Sequence, residues 1–188
     1  MKIFLFLAAV VIAAAGALWS GLYNMSALEP HWDITHEIIA IARDRSITVH
    51  SANVKVPPLD DPKLSTAGVS HYAEMCRVCH GAPGVPPEGL AHGLYPAPAN
   101  LLSGHAQKRW KDNELFWIVE NGLKMTGMPA FGPTHNRDEM LGIVAFLKRL
   151  PGMTPEQYRV LAGGTATGGH GGGHDAPHSH PHSQPHGQ

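Results

Sequence analysis

Residues 72–83 read YAEMCRVCHGAP, and within them Cys76 and Cys79 are the only cysteines of the 188-residue chain. Two residues separate the thiols, and His80 follows the second at once, which is the attachment signal for c-type haem. Each thiol can add to one vinyl group of a porphyrin, and the adjoining imidazole is then held against the iron. A disulfide closing so short a loop would take little entropy from the unfolded chain. A thioredoxin-like redox pair shares the spacing. It expects a Trp-Cys-Gly-Pro-Cys-like site on a strand-to-helix turn, which this sequence lacks.

Composition narrows the setting. At 20.2 kDa the chain is long enough for one modest domain with appendages. Lys+Arg (14) and Asp+Glu (15) balance to a formal charge of −1 with no basic block, so no nucleic-acid footprint is present. Gly (21) and Pro (16) are abundant, which implies much loop or tail. Residues 3–19, IFLFLAAVVIAAAGALW, carry no charge, and Lys2 is the only positive residue ahead of them. Extended through Tyr23, this run of about 20 residues matches a bilayer core of ~30 Å at ~1.5 Å rise per residue. Trp19 and Tyr23 stand at its far end, where aromatic rings prefer the interface. Residues 1–23 are therefore expected to be a transmembrane anchor with the N-terminus in the cytoplasm. The alternative is a signal peptide cleaved near Ala15-Gly16-Ala17, which would leave a soluble periplasmic protein. Either way the remainder is exported, and in bacteria covalent haem attachment takes place on the outer side of the inner membrane.

Residues 24–60 form a juxtamembrane collar with one amphipathic helix, capped by Asp33, in which Ile34, Ile38 and Ile41 share a face. Its His31, His36 and His50 are expected to serve the surface or packing. Pro57-Pro58 marks a stiff junction, and a domain over 61–162 follows. Asp61-Pro62 suits a helix start, predicting a helix through Cys76 with Gly68, Tyr72 and Cys76 on one face. A second helix is expected in DNELFWIVENG, capped by Asp112, striped by Leu115, Ile118 and Val119, and ended by Gly122. A third lies in NRDEMLGIVAFLKRL, where Asn136 and Glu139 have capping-box spacing. It would bury Met140, Ile143, Val144 and Leu147, with Phe146 beside them. A last short helix in TPEQYRVLA has Pro155 in its first turn and Gln157 closing another box. No alternating strand stands out, so the domain reads as all-α. Three or four short helices bury too little to stand alone, and a flat apolar porphyrin would complete such a core.

An iron held by His80 needs a sixth ligand or an open position. Downstream candidates are Met125, Met128, His92, His105 and His135. Met128 sits between Gly127 and Pro129 in GLKMTGMPAFGP, a tight loop suited to presenting a thioether, whereas Met125 is expected to pack or to touch the haem edge.

With these landmarks in place, residues 61–150 resemble a class I monohaem cytochrome c of the bacterial membrane-anchored type. Gly68 and Tyr72 match the small and aromatic residues by which that family's first helix crosses its last, with Ile143 and Phe146 as facing positions. Cys76, Cys79 and His80 match the attachment motif, and GMPAF matches the distal loop with Met128 as ligand. Pro98, with Pro96 as a rival, resembles the proline whose carbonyl accepts a hydrogen bond from the proximal histidine. The resemblance implies one covalent haem c with His80 and Met128 as iron ligands. Such ligation favours ferrous iron, raises the potential relative to two imidazoles and leaves dioxygen no ready site. That is an electron carrier rather than a haem enzyme.

From Gly163 the chain reads GGTATGGHGGGHDAPHSHPHSQPHGQ. Glycine, proline and few apolar residues predict a disordered tail over 163–188. Its histidines can bind copper, nickel or zinc, or respond to falling pH. The leading expectation is a membrane-tethered, periplasm-facing carrier between a donor such as a quinol-oxidising complex and an acceptor oxidase or reductase. A permanent cytochrome subunit of a larger oxidoreductase, docked through the collar helix, is the runner-up. A haem-containing metal-handling protein acting through its tail is a third.

Overall fold

The computed structural model describes residues 1–165. The expectations for tail and tail-bound metals fall mainly on residues 166–188, outside the described residues. Eight α-helices carry the described chain: α1 Lys2–Trp19, α2 Asp33–Ser51, α3 Pro62–His71, α4 Arg77–His80, α5 His105–Arg109, α6 Asp112–Asn121, α7 Arg137–Arg149 and α8 Pro155–Thr165. Short 3₁₀ turns at Gly89–Gly93 and Leu101–Ser103 punctuate the proline-rich stretch. No strand occurs among the described residues beyond an isolated bridge between Ala82 and Val85, so the architecture is all-α as expected.

The centre of the fold is the crossing of α3 and α7. Asp61 caps α3 by accepting from the Lys63 N–H at 2.8 Å, with Pro62 in the first turn. Where the two helices cross, glycine meets glycine. A Cβ built on Gly68 would lie 2.0 Å from the Gly142 carbonyl oxygen, so only a bare backbone permits this approach. One turn further on, the Tyr72 and Phe146 rings pack with centroids 5.1 Å apart, and both side chains are fully buried. Met140, Ile143, Val144 and Leu147 are buried as their 3.6-residue spacing requires. The Asn136/Glu139 and Thr154/Gln157 boxes both form.

Several local expectations change. The first helix does not continue as α-helix to Cys76. Tyr72–Cys76 form a π-helical turn in which the Arg77 N–H donates to the Tyr72 carbonyl, and α4 resumes beyond it. The wider turn breaks the step of four between Tyr72, which is fully buried, and Cys76, which is half-buried and packs against the same core. Asp112 does not cap α6. The cap position is Lys111, whose N–H is satisfied by the Glu114 carboxylate at 2.9 Å, and Asp112 instead pairs with Lys148 on α7 at 2.7 Å. Asp33 is likewise the first residue of α2 and not its cap. Helix α8 runs to Thr165, past the expected boundary at Ala162.

The collar is more integrated than a spacer. The C-terminal half of α2 docks on α6, burying Ile47 at 1 % exposure. Thr48 donates to Glu114 at 3.1 Å, and the Asn113 amide donates to the Ser51 carbonyl at 2.8 Å. Ile34, Ile38 and Ile41 do share a face, but it stays uncovered. His31 donates its N–H to the Tyr95 hydroxyl at 2.9 Å, and His50 packs by Trp117. Helix α1 has a mean hydropathy of 2.2 and none of it is buried, so it is long and apolar enough to cross a membrane.

Candidate functional site

Between α4, the Leu94–Leu101 stretch, the loop after α6 and the inner face of α7 lies a cavity of about 590 Å³. Cys76, Cys79 and His80 of the attachment motif and Met128, 48 residues further along the chain, all line it. Most of the remaining wall is aliphatic or aromatic, including Leu94, Leu101, Phe131, Ile143 and Leu147.

The His80 ring is oriented by its backbone partner. Nδ1 lies 2.7 Å from the Ala99 carbonyl, so the Nδ1–H donates there and Nε2 keeps a lone pair for a metal. The sequence pointed to Pro98, or else Pro96, for this acceptor, and the structure corrects it to Ala99. Both prolines do line the cavity. The acceptor is thus the carbonyl one residue beyond Pro98. Burial lowers the His80 pKa, and the hydrogen bond to Ala99 opposes that only in part. The neutral imidazole, the form a metal needs, is thereby favoured. Burial, reinforced by Cys79, pushes the Cys76 thiol up to about 12. Both cysteines are free thiols.

Met128 is held by a loop folded back on α6. Gly122, at φ +63°, ends α6, and a Cβ there would meet the Met128 carbonyl oxygen at 2.8 Å. The Leu123 N–H donates to that carbonyl at 3.2 Å, and the Thr126 hydroxyl accepts from the Met128 N–H at 3.1 Å while donating to Leu123. A second Cβ at Gly127 would run into the Leu94 side chain at 2.8 Å. Met125, in contrast, is 66 % exposed at φ +61° and is not part of the cavity wall, so the expected packing role fails. His92, His105 and His135 do not line the cavity either; His135 stacks edge-on against His71 and Phe131.

Three residues that line this site or let its walls close escaped sequence reasoning: Met75 beside the attachment motif, Gly142 and Arg43. Gly142, which lets α3 close against α7, hides inside an otherwise apolar helix pattern. Arg43, from α2, reaches the cavity wall from outside the haem-domain motifs. No cluster of three or more His, Cys, Asp or Glu side chains suited to a metal ion exists among the described residues. The donor set among the described residues is therefore one imidazole, two thioethers (Met75 and Met128) and two thiols around an apolar space. It fits a flat metallated porphyrin with vinyl substituents better than a bare ion.

A family model described as cytochrome c oxidase, cbb3-type, subunit III, matches residues 64–147. No curated protein and no solved structure matches the chain. The matched segment runs from α3 through α7 and contains both cysteines, His80 and Met128. With its all-α crossing and its apolar cavity, the segment over residues 64–147 is a class I monohaem cytochrome c domain, the kind that bears covalent haem c and transfers single electrons.

Proposed function

We propose that this chain carries single electrons on the periplasmic side of a bacterial inner membrane, through one haem c anchored at Cys76 and Cys79 and ligated by His80 and Met128. The observation that carries the reading is the convergence of these four side chains on one apolar cavity. The haem supplies a one-electron ferric–ferrous couple. The Ala99 carbonyl orients His80 and increases its basicity toward iron. Gly122, Leu123 and Thr126 fix the loop that presents the Met128 sulfur, and a thioether in that position favours the ferrous state. The surrounding aliphatic side chains exclude water and keep reorganisation small.

Met128→Ala should abolish the weak ferric absorption near the red edge that iron–sulfur ligation gives, while the haem stays covalently attached on denaturing gels. Met125→Ala should leave the band intact. Loss of the band in Met125→Ala alone would overturn the assignment. Carbon monoxide should bind ferrous wild-type protein slowly and Met128→Ala quickly.

Helix α1 would confine the search for donor and acceptor to the membrane surface, raising their effective concentration. A second reading is a fixed subunit of a larger oxidase. It is favoured by the exposed face of Ile34 (65 %), Ile38 (60 %) and Ile41 (67 %) on a helix already docked to the domain, and by the description of the matching family. Size analysis after mild detergent extraction from native membranes separates the two. A lone carrier runs as a small micelle, and a subunit co-migrates with other haem or copper polypeptides.

A further inference from the structure

Among the described residues the cavity wall contains one charged side chain, Arg43, and it comes from α2. This residue lies upstream of the matched residues 64–147, so the family pattern does not include it. Its guanidinium is held in place. Nε and one terminal nitrogen both lie 2.8 Å from Asp44 Oδ1, and Asp44 also pairs with Arg109 of α5 through its second oxygen. Two guanidiniums therefore share one carboxylate, leaving the cluster with an excess of one positive charge. The remaining Arg43 N–H groups have no acceptor among the described residues, although a guanidinium carries five donors in a rigid fork. The side chain is only partly exposed, so donors of this fork stand at the edge of the apolar cavity, where they can bond an anion.

Haem is apolar over most of its surface but bears two propionate carboxylates. Resting on the haem reading above, we infer that Arg43 binds a haem propionate, with Asp44 and Arg109 holding its guanidinium in register. The carboxylate would complete the charge balance of the Arg43–Asp44–Arg109 cluster and give the fork an acceptor. It would also tie the collar helix to the cofactor, so that α2 is part of the haem site and not only a spacer. Removing a fixed positive charge beside the porphyrin favours the ferric state.

The test uses the full-length, haem-loaded chain in detergent, comparing wild type with Arg43→Gln and Arg43→Lys. Midpoint potential is measured by spectroelectrochemistry, and the propionate bending mode by resonance Raman. Arg43→Gln should lower the ferrous-to-ferric ratio at fixed potential by roughly tenfold and shift the propionate mode. Arg43→Lys, which keeps the charge but loses the planar fork, should hold most of the potential and still shift the mode. An unchanged mode in either variant overturns the inference, and so does an unchanged potential in a red, covalently loaded Arg43→Gln. A colourless wild-type protein overturns the haem reading itself, a separate failure. Should Arg43→Gln fail to fold, the Raman mode of Arg43→Lys decides alone.

Discussion

Tyr72 shows how much one side chain can carry here. Its hydroxyl donates to the Gly81 carbonyl at 2.6 Å, just beyond the attachment motif, while its ring is fully buried against Phe146. Burial first, then the neighbouring Cys76 and Tyr158, holds its phenol well above the ordinary tyrosine value. A raised folded-state pKa means that the native protein binds the proton more tightly than the unfolded chain. The stability Tyr72 contributes is therefore complete below about pH 10, where an unfolded tyrosine ionises, and falls as pH rises beyond it. Tyr72→Phe should cost about 1–3 kcal/mol near neutrality, since the Gly81 carbonyl loses its partner. The same variant should flatten the alkaline decline. Urea unfolding at about pH 8 and about pH 10.5 tests both; an equally steep decline in Tyr72→Phe would assign it to other groups. The role was half legible in sequence, where Tyr72 stood out as an aromatic crossing residue. Its bond to Gly81 depends on the π-helical turn that follows it, and no residue pattern announces that turn.

Among the elements, the α3–α7 crossing decides the packing. Gly68→Ala would thrust a methyl to within 2.0 Å of the Gly142 carbonyl oxygen, and two backbones cannot both yield. A loss of about 3 kcal/mol or more is expected, read as a fall in thermal midpoint. At Gly142 the nearest contact for an added methyl is 3.2 Å, and alanine improves helix propensity by about 1 kcal/mol. Gly142→Ala should therefore be clearly milder, and the reverse order would show that the crossing is not as close as described. Helix α2 teaches a related point. The sequence pattern placed Ile34, Ile38 and Ile41 on one apolar face, which is true, yet the buried anchors are Ile47 and Ser51, two turns further along. Periodicity reports which residues share a face; which stretch of the helix meets a neighbour depends on the neighbour.

At the scale of the whole molecule, stability turns on the cavity. Even a third of its volume, left void, would cost about 5 kcal/mol at roughly 24 cal/mol per Å³, comparable to the entire stability of a small domain. The chain without haem is expected to lose fixed tertiary packing while retaining part of its helix. A Cys76→Ala/Cys79→Ala variant should show weak near-UV and substantial far-UV circular dichroism. Cooperative unfolding of that variant at the wild-type midpoint would show that the helices need no filler.

What the residues determined unaided was local: caps at Asp61 and Asn136, the apolar stripe of α7, an uncharged N-terminal run, and thiols and imidazole spaced for one chemistry. Each follows from interactions within a few residues, so a linear string can carry it. The outward turn of Met125, the hand-over of the imidazole bond to Ala99, the glycine pair at the crossing and the arrival of Arg43 at the cavity were decided only in three dimensions. These depend on where separate segments meet, and the free energy of that meeting belongs to pairs of surfaces, not to any one stretch of chain.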